Sequence, residues 1–180
     1  PHDVNIIDEV GRVKPEDIRF KGNKALIEII GEEIDEAFIE QIKTISLSPG
    51  AIKQQANLKI VYTPIHGTGV RIIPACLKAF GFTNIIPVPE QNVVSGDFPT
   101  VVSPNPEEPA ALNMAIEKAK ETDADIVMAS DPDADRVGVA IKNDRGEWIL
   151  VNGNQTALLF IYYLITRWRE TGKLKGNEYV

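Results

Sequence analysis

Apolar residues recur along this chain with two different periods, and the changes between them mark the elements. Val4, Ile6, Ile7 and Val10, set among Asn5, Asp8 and Glu9, predict a first helix. A polar stretch from Lys14 to Asn23 separates it from a second apolar burst, Ala25 to Ile30, which alternates too little to assign. After Gly31, apolar residues return every three or four positions at Ile34, Phe38, Ile42 and Ile45. They predict an amphipathic helix ended by Ser48-Pro49-Gly50. From residue 58 strands and helices alternate. Leu58 to Tyr62 reads as a strand stopped by Thr63-Pro64, and a helix follows Gly67 and Gly69 as far as Phe80, with Gly81 as its stop. Asn84 to Val88 reads as a second strand. Ala110 to Glu121 reads as a helix with Leu112, Ala115, Ile116 and Ala119 on one face. Asp125 to Ala129 and Val137 to Ile141 are a third and a fourth strand, and Asn143-Asp144-Arg145-Gly146 is a hairpin signal leading into Trp148-Ile149-Leu150. Asn152 to Arg169 is a helix apolar nearly all round, a pattern usual for buried helices. Lys173 to Val180 leave it in what reads as a new strand.

This alternation predicts an α/β fold: a three-layer α/β/α domain on a mixed, mostly parallel four-stranded sheet. In such sheets the chemistry sits in loops beyond the carboxyl ends of the strands, which is where the unusual residues of this chain lie. Composition narrows the function classes. Of 180 residues 43% are hydrophobic and 25% charged, as in ordinary globular domains. Lys plus Arg number 19 against 26 Asp plus Glu, and a net charge of −7 argues against a general grip on nucleic acid or on an anionic membrane. No apolar run reaches the ~18 residues of a spanning helix. The single cysteine, Cys76, excludes an intrachain disulfide and a multi-cysteine zinc site, and is expected to be a small buried residue. The chain opens on Pro1 without a charged and then apolar leader, and it reads as a piece of a longer, cytoplasmic protein.

The sharpest chemical feature is Ser130-Asp131-Pro132-Asp133-Ala134-Asp135-Arg136, directly after the strand ending at Ala129. Carboxylates at every second position converge on one side of an extended loop, and like charges so close call for a cation. Hard oxygen ligands favour Mg²⁺, Ca²⁺ or Mn²⁺ over zinc. Arg136 beside them suits a phosphate that shares the metal. An EF-hand beginning at Asp131 fails, because its sixth and twelfth positions hold Arg136 and Lys142. A phosphatase of the haloacid-dehalogenase type, with Asp131 as nucleophile, stays open, although Asp135 stands where such a motif has Thr or Val. Gly67-Thr68-Gly69 lacks the third glycine of a dinucleotide fingerprint. Its glycines let backbone N–H groups approach an anion at a helix N-terminus, with His66 as a candidate phosphate ligand or a structural turn residue. Ser103-Pro104-Asn105-Pro106-Glu107-Glu108 reads as a helix cap.

Five strings in this order resemble the α-D-phosphohexomutase family, the phosphoglucomutases and phosphomannomutases. They are Thr63-Pro64-Ile65-His66-Gly67, Gly96-Asp97-Phe98-Pro99-Thr100, Pro104-Asn105-Pro106-Glu107, Asp131 to Arg136 and Asn152-Gly153-Asn154-Gln155. The family's metal loop usually reads Asp-Gly-Asp-Ala-Asp-Arg, so Pro132 is a departure. The resemblance implies four domains around one cleft. Residues 1–30 would then be the tail of domain I, 31–148 domain II with the metal loop, and 149–180 the start of domain III. It further implies that an enzyme phosphoserine donates its phosphoryl group to a hexose phosphate, and that the bisphosphorylated sugar reorients and returns its other phosphate. Asp131, Asp133 and Asp135 would hold Mg²⁺, and Arg136 would contact the transferring or sugar phosphate. The partners implied are the hexose phosphate and domains I, III and IV of the same chain. No string here matches the family's phosphoserine or sugar-recognition loops, so the nucleophile and the general acid/base are not assigned, and the piece alone is expected to be inactive. A non-catalytic Mg²⁺ or phosphate-binding module is the alternative of another class.

Overall fold

Five short runs rich in Ile and Val form one sheet: β1 (Lys59–Thr63), β2 (Asn84–Pro87), β3 (Ile126–Ser130), β4 (Val137–Lys142) and β5 (Trp148–Val151). The structure is a computed structural model and describes residues 2–178. These divide into two units, one ending at Ile34 and the other starting at Asp35. In the first unit, α1 (His2–Arg12) is followed by 3₁₀ turns at Pro15–Asp17 and Lys24–Leu26, and none of its described residues is buried. The remaining helices are α2 (Glu32–Lys43), α3 (Pro49–Gln54), α4 (Gly69–Phe80), α5 (Pro109–Thr122) and α6 (Gly153–Glu170).

The strand order is β2-β1-β3-β4-β5. β1 runs parallel to both neighbours, with Val61 opposite Ile86 and Val127, whereas β3–β4 and β4–β5 are antiparallel. The expected α/β fold on a mixed sheet is therefore present, with one correction. The sheet has five strands rather than four, and parallel and antiparallel ladders are equal in number. The fifth strand stays paired because Asn143 Oδ1 accepts from the N–H groups of Arg145 and Glu147, both at 2.9 Å, which folds the chain straight back onto β4.

Alternation along the strands separates the two faces of the sheet. Val61, Val127, Ala129 and Ala140 share a buried cluster with Leu112, Ala115 and Ala119 of α5. Tyr62 and Ser130 point the other way, against Gly69 of α4. Two helices on opposite faces make the three layers.

Local chemistry explains where the elements depart from the hydrophobic pattern. Ser48-Pro49-Gly50 ends α2 but also opens α3, since a proline at the first helical position is already set in helical φ. Cys76 is half-buried rather than enclosed, and burial pushes its thiol up. α6 forms where expected, behind a reciprocal capping box between Asn152 and Gln155. It is not buried, however: Leu158 is 68% and Tyr162 73% exposed. Residues 173–178 contain no strand, and the rest of the strand expected there, Tyr179 and Val180, lies outside the described residues.

Candidate metal centre

β1 and β3 are parallel neighbours, but the chain leaves β1 towards β2 and returns to β3 on the other side. Because the two strands are parallel, the loops that follow them emerge at the same edge of the sheet. Here those loops are residues 64–68 after β1 and residues 131–136 between β3 and β4.

The acidic loop is a tight turn rather than the extended segment expected. The Ala134 N–H donates to the Asp131 carbonyl at 3.1 Å, and Ala134 takes φ +62°. This brings one carboxylate oxygen each of Asp131, Asp133 and Asp135 within 4.8 Å of one another. Asp131 is 1% exposed. Its Oδ1 accepts from the backbone N–H of Arg136 at 3.0 Å and its Oδ2 from the Arg136 Nε at 2.8 Å. Burial pushes the Asp131 carboxyl up, but the two bonds from Arg136, together with hydrogen bonding to Asp133 and Asp135, hold the group below the usual carboxylate range. Asp135 moves the opposite way, raised by hydrogen bonding with Asp131 and by repulsion from Asp133 and Asp131. Arg136 alone does not neutralise three acids. The donor set fits a hard divalent cation: oxygens bound at about 2.0–2.6 Å to one ion lie at most about 4–5 Å apart. A cleft of about 240 Å³ lined by Tyr62, Ile73, Met128, Ser130, Asp135 and Arg136 opens beside the loop.

The β1 loop is shaped by a buried polar network. Ile65 and His66 sit at φ +45° and +64°, a conformation that strains a β-branched residue. Thr63 Oγ1 accepts the Ile65 N–H at 3.1 Å, and the His66 N–H donates to the Gln91 carbonyl at 2.9 Å. His66 is 1% exposed. Its Nδ1 bonds the Val93 carbonyl and its Nε2 the Thr100 hydroxyl, both at 2.8 Å. Both ring nitrogens are therefore engaged within the fold. Gln91 is fully buried and ties Thr63 to Thr100. Nothing local marks it, because its partners come from three separate segments.

The glycines permit close packing at this loop. A Cβ on Gly67 would stand closer than 3.0 Å to the Pro132 Cα, carbonyl carbon and oxygen, and one on Gly69 equally close to the Tyr62 and Ser130 hydroxyls. The Thr68 N–H and hydroxyl both donate to the Pro132 carbonyl, at 2.8 and 3.0 Å. The β1 loop thus clasps the acidic loop at its proline. The segment Ser103–Glu108 is organised by its own bonds, with Asn105 Oδ1 accepting from the Glu107 N–H, and leads into α5.

Comparison with known proteins points in one direction. A family model described as phosphoglucomutase/phosphomannomutase, alpha/beta/alpha domain II, matches residues 36–146. A phosphopentomutase from Homo sapiens is 40% identical over 121 residues, which is 67% of this chain and 20% of that protein. A probable phosphomannomutase from Haemophilus influenzae is 32% identical over 164 residues, 91% of this chain and 32% of that one. The crystal structure of a phosphoglucomutase/phosphomannomutase family protein from Burkholderia thailandensis matches with a TM-score of 0.58 at 28% identity, covering 74% of this chain and 26% of the other. The chain spans between 20% and 32% of the length of these curated relatives.

Proposed function

This chain belongs to the phosphoglucomutase/phosphomannomutase family, and on that premise we propose that it is the metal-binding part of an intramolecular phosphotransferase interconverting hexose 1-phosphate and hexose 6-phosphate. Residues 31–148 are domain II in this reading, residues 1–30 the tail of domain I, and residues 149–180 the start of domain III. The observation that carries the proposal is the convergence of the Asp131, Asp133 and Asp135 carboxylates within 4.8 Å, in the turn that follows β3.

Asp131, Asp133 and Asp135 would hold Mg²⁺, which when bound supplies neutralisation of the negative charge on a transferring phosphoryl group. Asp131 is the fixed member of the set, held from two sides by Arg136. Asp133 and Asp135 are exposed. Arg136 spends its Nε on Asp131, and its other guanidinium N–H groups serve as the phosphate contact. His66 belongs to the loop's architecture. The phosphoserine, the general acid/base and the sugar-recognising groups come from the other domains. Relatives named for a pentose and for mannose both match this chain, which supports assigning it the shared phosphate chemistry rather than sugar choice. The cytoplasm is the compartment that the family reading proposes for it; no described helix is long and apolar enough to cross a membrane.

Calorimetric titration with MgCl₂ tests the proposal. We expect weak binding by the 180-residue chain that is lost in Asp133→Ala; binding unchanged by that substitution would overturn the assignment. The phosphatase alternative is disfavoured because the family model and the relatives that match this chain are mutases, and Asp135 stands where a phosphatase motif has Thr or Val. A beryllofluoride adduct on Asp131 would revive it.

A further inference from the structure

We infer that Thr68 is a positioning residue for the acidic loop: by fixing the Pro132 carbonyl it holds the turn in the form that keeps Asp133 beside Asp131 and Asp135, and so sets the affinity for a divalent cation. The inference rests on the metal reading above and extends it to a residue that touches no ligand.

Asp131, Pro132, Asp133 and Ala134 form a β-turn closed by the Ala134 N–H on the Asp131 carbonyl. The central peptide of a β-turn can face either way, which is the difference between types I and II. Proline in the second position suits both types, so Pro132 leaves the choice open. The third residue decides it: type II requires φ near +80° there and type I about −90°. Asp133 is not among the residues with positive φ, while Ala134 after it is left-handed. A type I turn followed by a left-handed residue is a common way to join two antiparallel strands, as this loop joins β3 to β4.

The group that would have to swing round for the other turn is the Pro132 carbonyl, and that oxygen is where Thr68 acts. It accepts from the Thr68 N–H at 2.8 Å and from the Thr68 hydroxyl at 3.0 Å, while Gly67 closes against the same peptide. A flip would break both bonds and drive Asp133 to positive φ, turning its carboxylate away from the other two. Thr68 is itself exposed and contributes nothing to the buried core. Its hydroxyl donates to the Pro132 carbonyl, and that bond can be removed without disturbing the core or the backbone bond.

The test is Mn²⁺ binding by the 180-residue chain, followed by electron paramagnetic resonance of the free ion, for wild type, Thr68→Val, Thr68→Ser and Asp133→Asn. Thr68→Val should bind Mn²⁺ about 2- to 10-fold more weakly, the range that follows from losing one of the two hydrogen bonds on the Pro132 carbonyl. Thr68→Ser, which keeps the hydroxyl, should restore wild-type affinity. The metal-free melting midpoint of Thr68→Val should stay within about 5 °C of wild type, since one exposed side chain is changed. Wild-type affinity in Thr68→Val beside lost binding in Asp133→Asn would overturn the inference and leave the metal reading standing. So would equal weakening in Thr68→Ser and Thr68→Val, or a larger fall in the metal-free midpoint. A wild type that binds no better than Asp133→Asn would overturn the metal reading itself, and this inference with it.

Discussion

Tyr62 is 2% exposed on β1, and its hydroxyl lies 2.8 Å from that of Ser130, the residue just before the acidic loop. Burial pushes the phenol up to about 12, only partly offset by the bond to Ser130. A phenol held above its ordinary value near 10 stabilises the fold fully below pH ~10. Between pH ~10 and ~12 the unfolded chain loses the proton first, so stability falls as pH rises, by at most about 3 kcal/mol for this group. Urea unfolding across that window should fall more steeply for wild type than for Tyr62→Phe; parallel profiles would contradict the assignment. The acids show the same dependence on surroundings. Asp131 and Asp135 are identical in type and four residues apart, yet one is held down by Arg136 and the other pushed up by its neighbours. Spacing reveals that these groups meet. It does not reveal which of them is buried, because that depends on what packs over the turn.

At the scale of elements, the stretch from β1 to α6 follows the hydrophobic pattern to within a residue or two at most boundaries. Period and strand alternation are properties of contiguous residues, so they can be read without knowing any partner. α5 is the clearest case: Leu112, Ala115 and Ala119, on the face expected from their spacing, are all fully buried in the cluster with Val61 and Val127. Leu112→Ala should lower the unfolding free energy by about 2–5 kcal/mol, seen as a lower urea midpoint with unchanged slope. A loss below about 1 kcal/mol would mean that this helix is not part of the core. The departures are short elements. α3 was hidden because its opening residues also end a helix, and β5 was legible as a hairpin arm but not as a full member of the sheet.

For the molecule as a whole, α6 exposes large apolar side chains and no described residue of the first unit is buried. The chain carries the acidic turn but no string that matches a phosphoserine or sugar-recognition loop. The purified 180-residue chain should therefore give no turnover of glucose 1-phosphate in a coupled assay, even with Mg²⁺, and measurable turnover would overturn the division of labour proposed above. The sequence by itself determined the order of the strands and of the helices between them, the α/β class and the close spacing of the three acids, since each follows from neighbours along the chain. Only the tertiary structure decided which loops meet. Thr68 reaches Pro132 across 64 residues, and His66 turns inward onto Val93 and Thr100, because pairing of β1 with β3 and β2 sets their following loops side by side. That adjacency is a property of the sheet, and no local spacing encodes it.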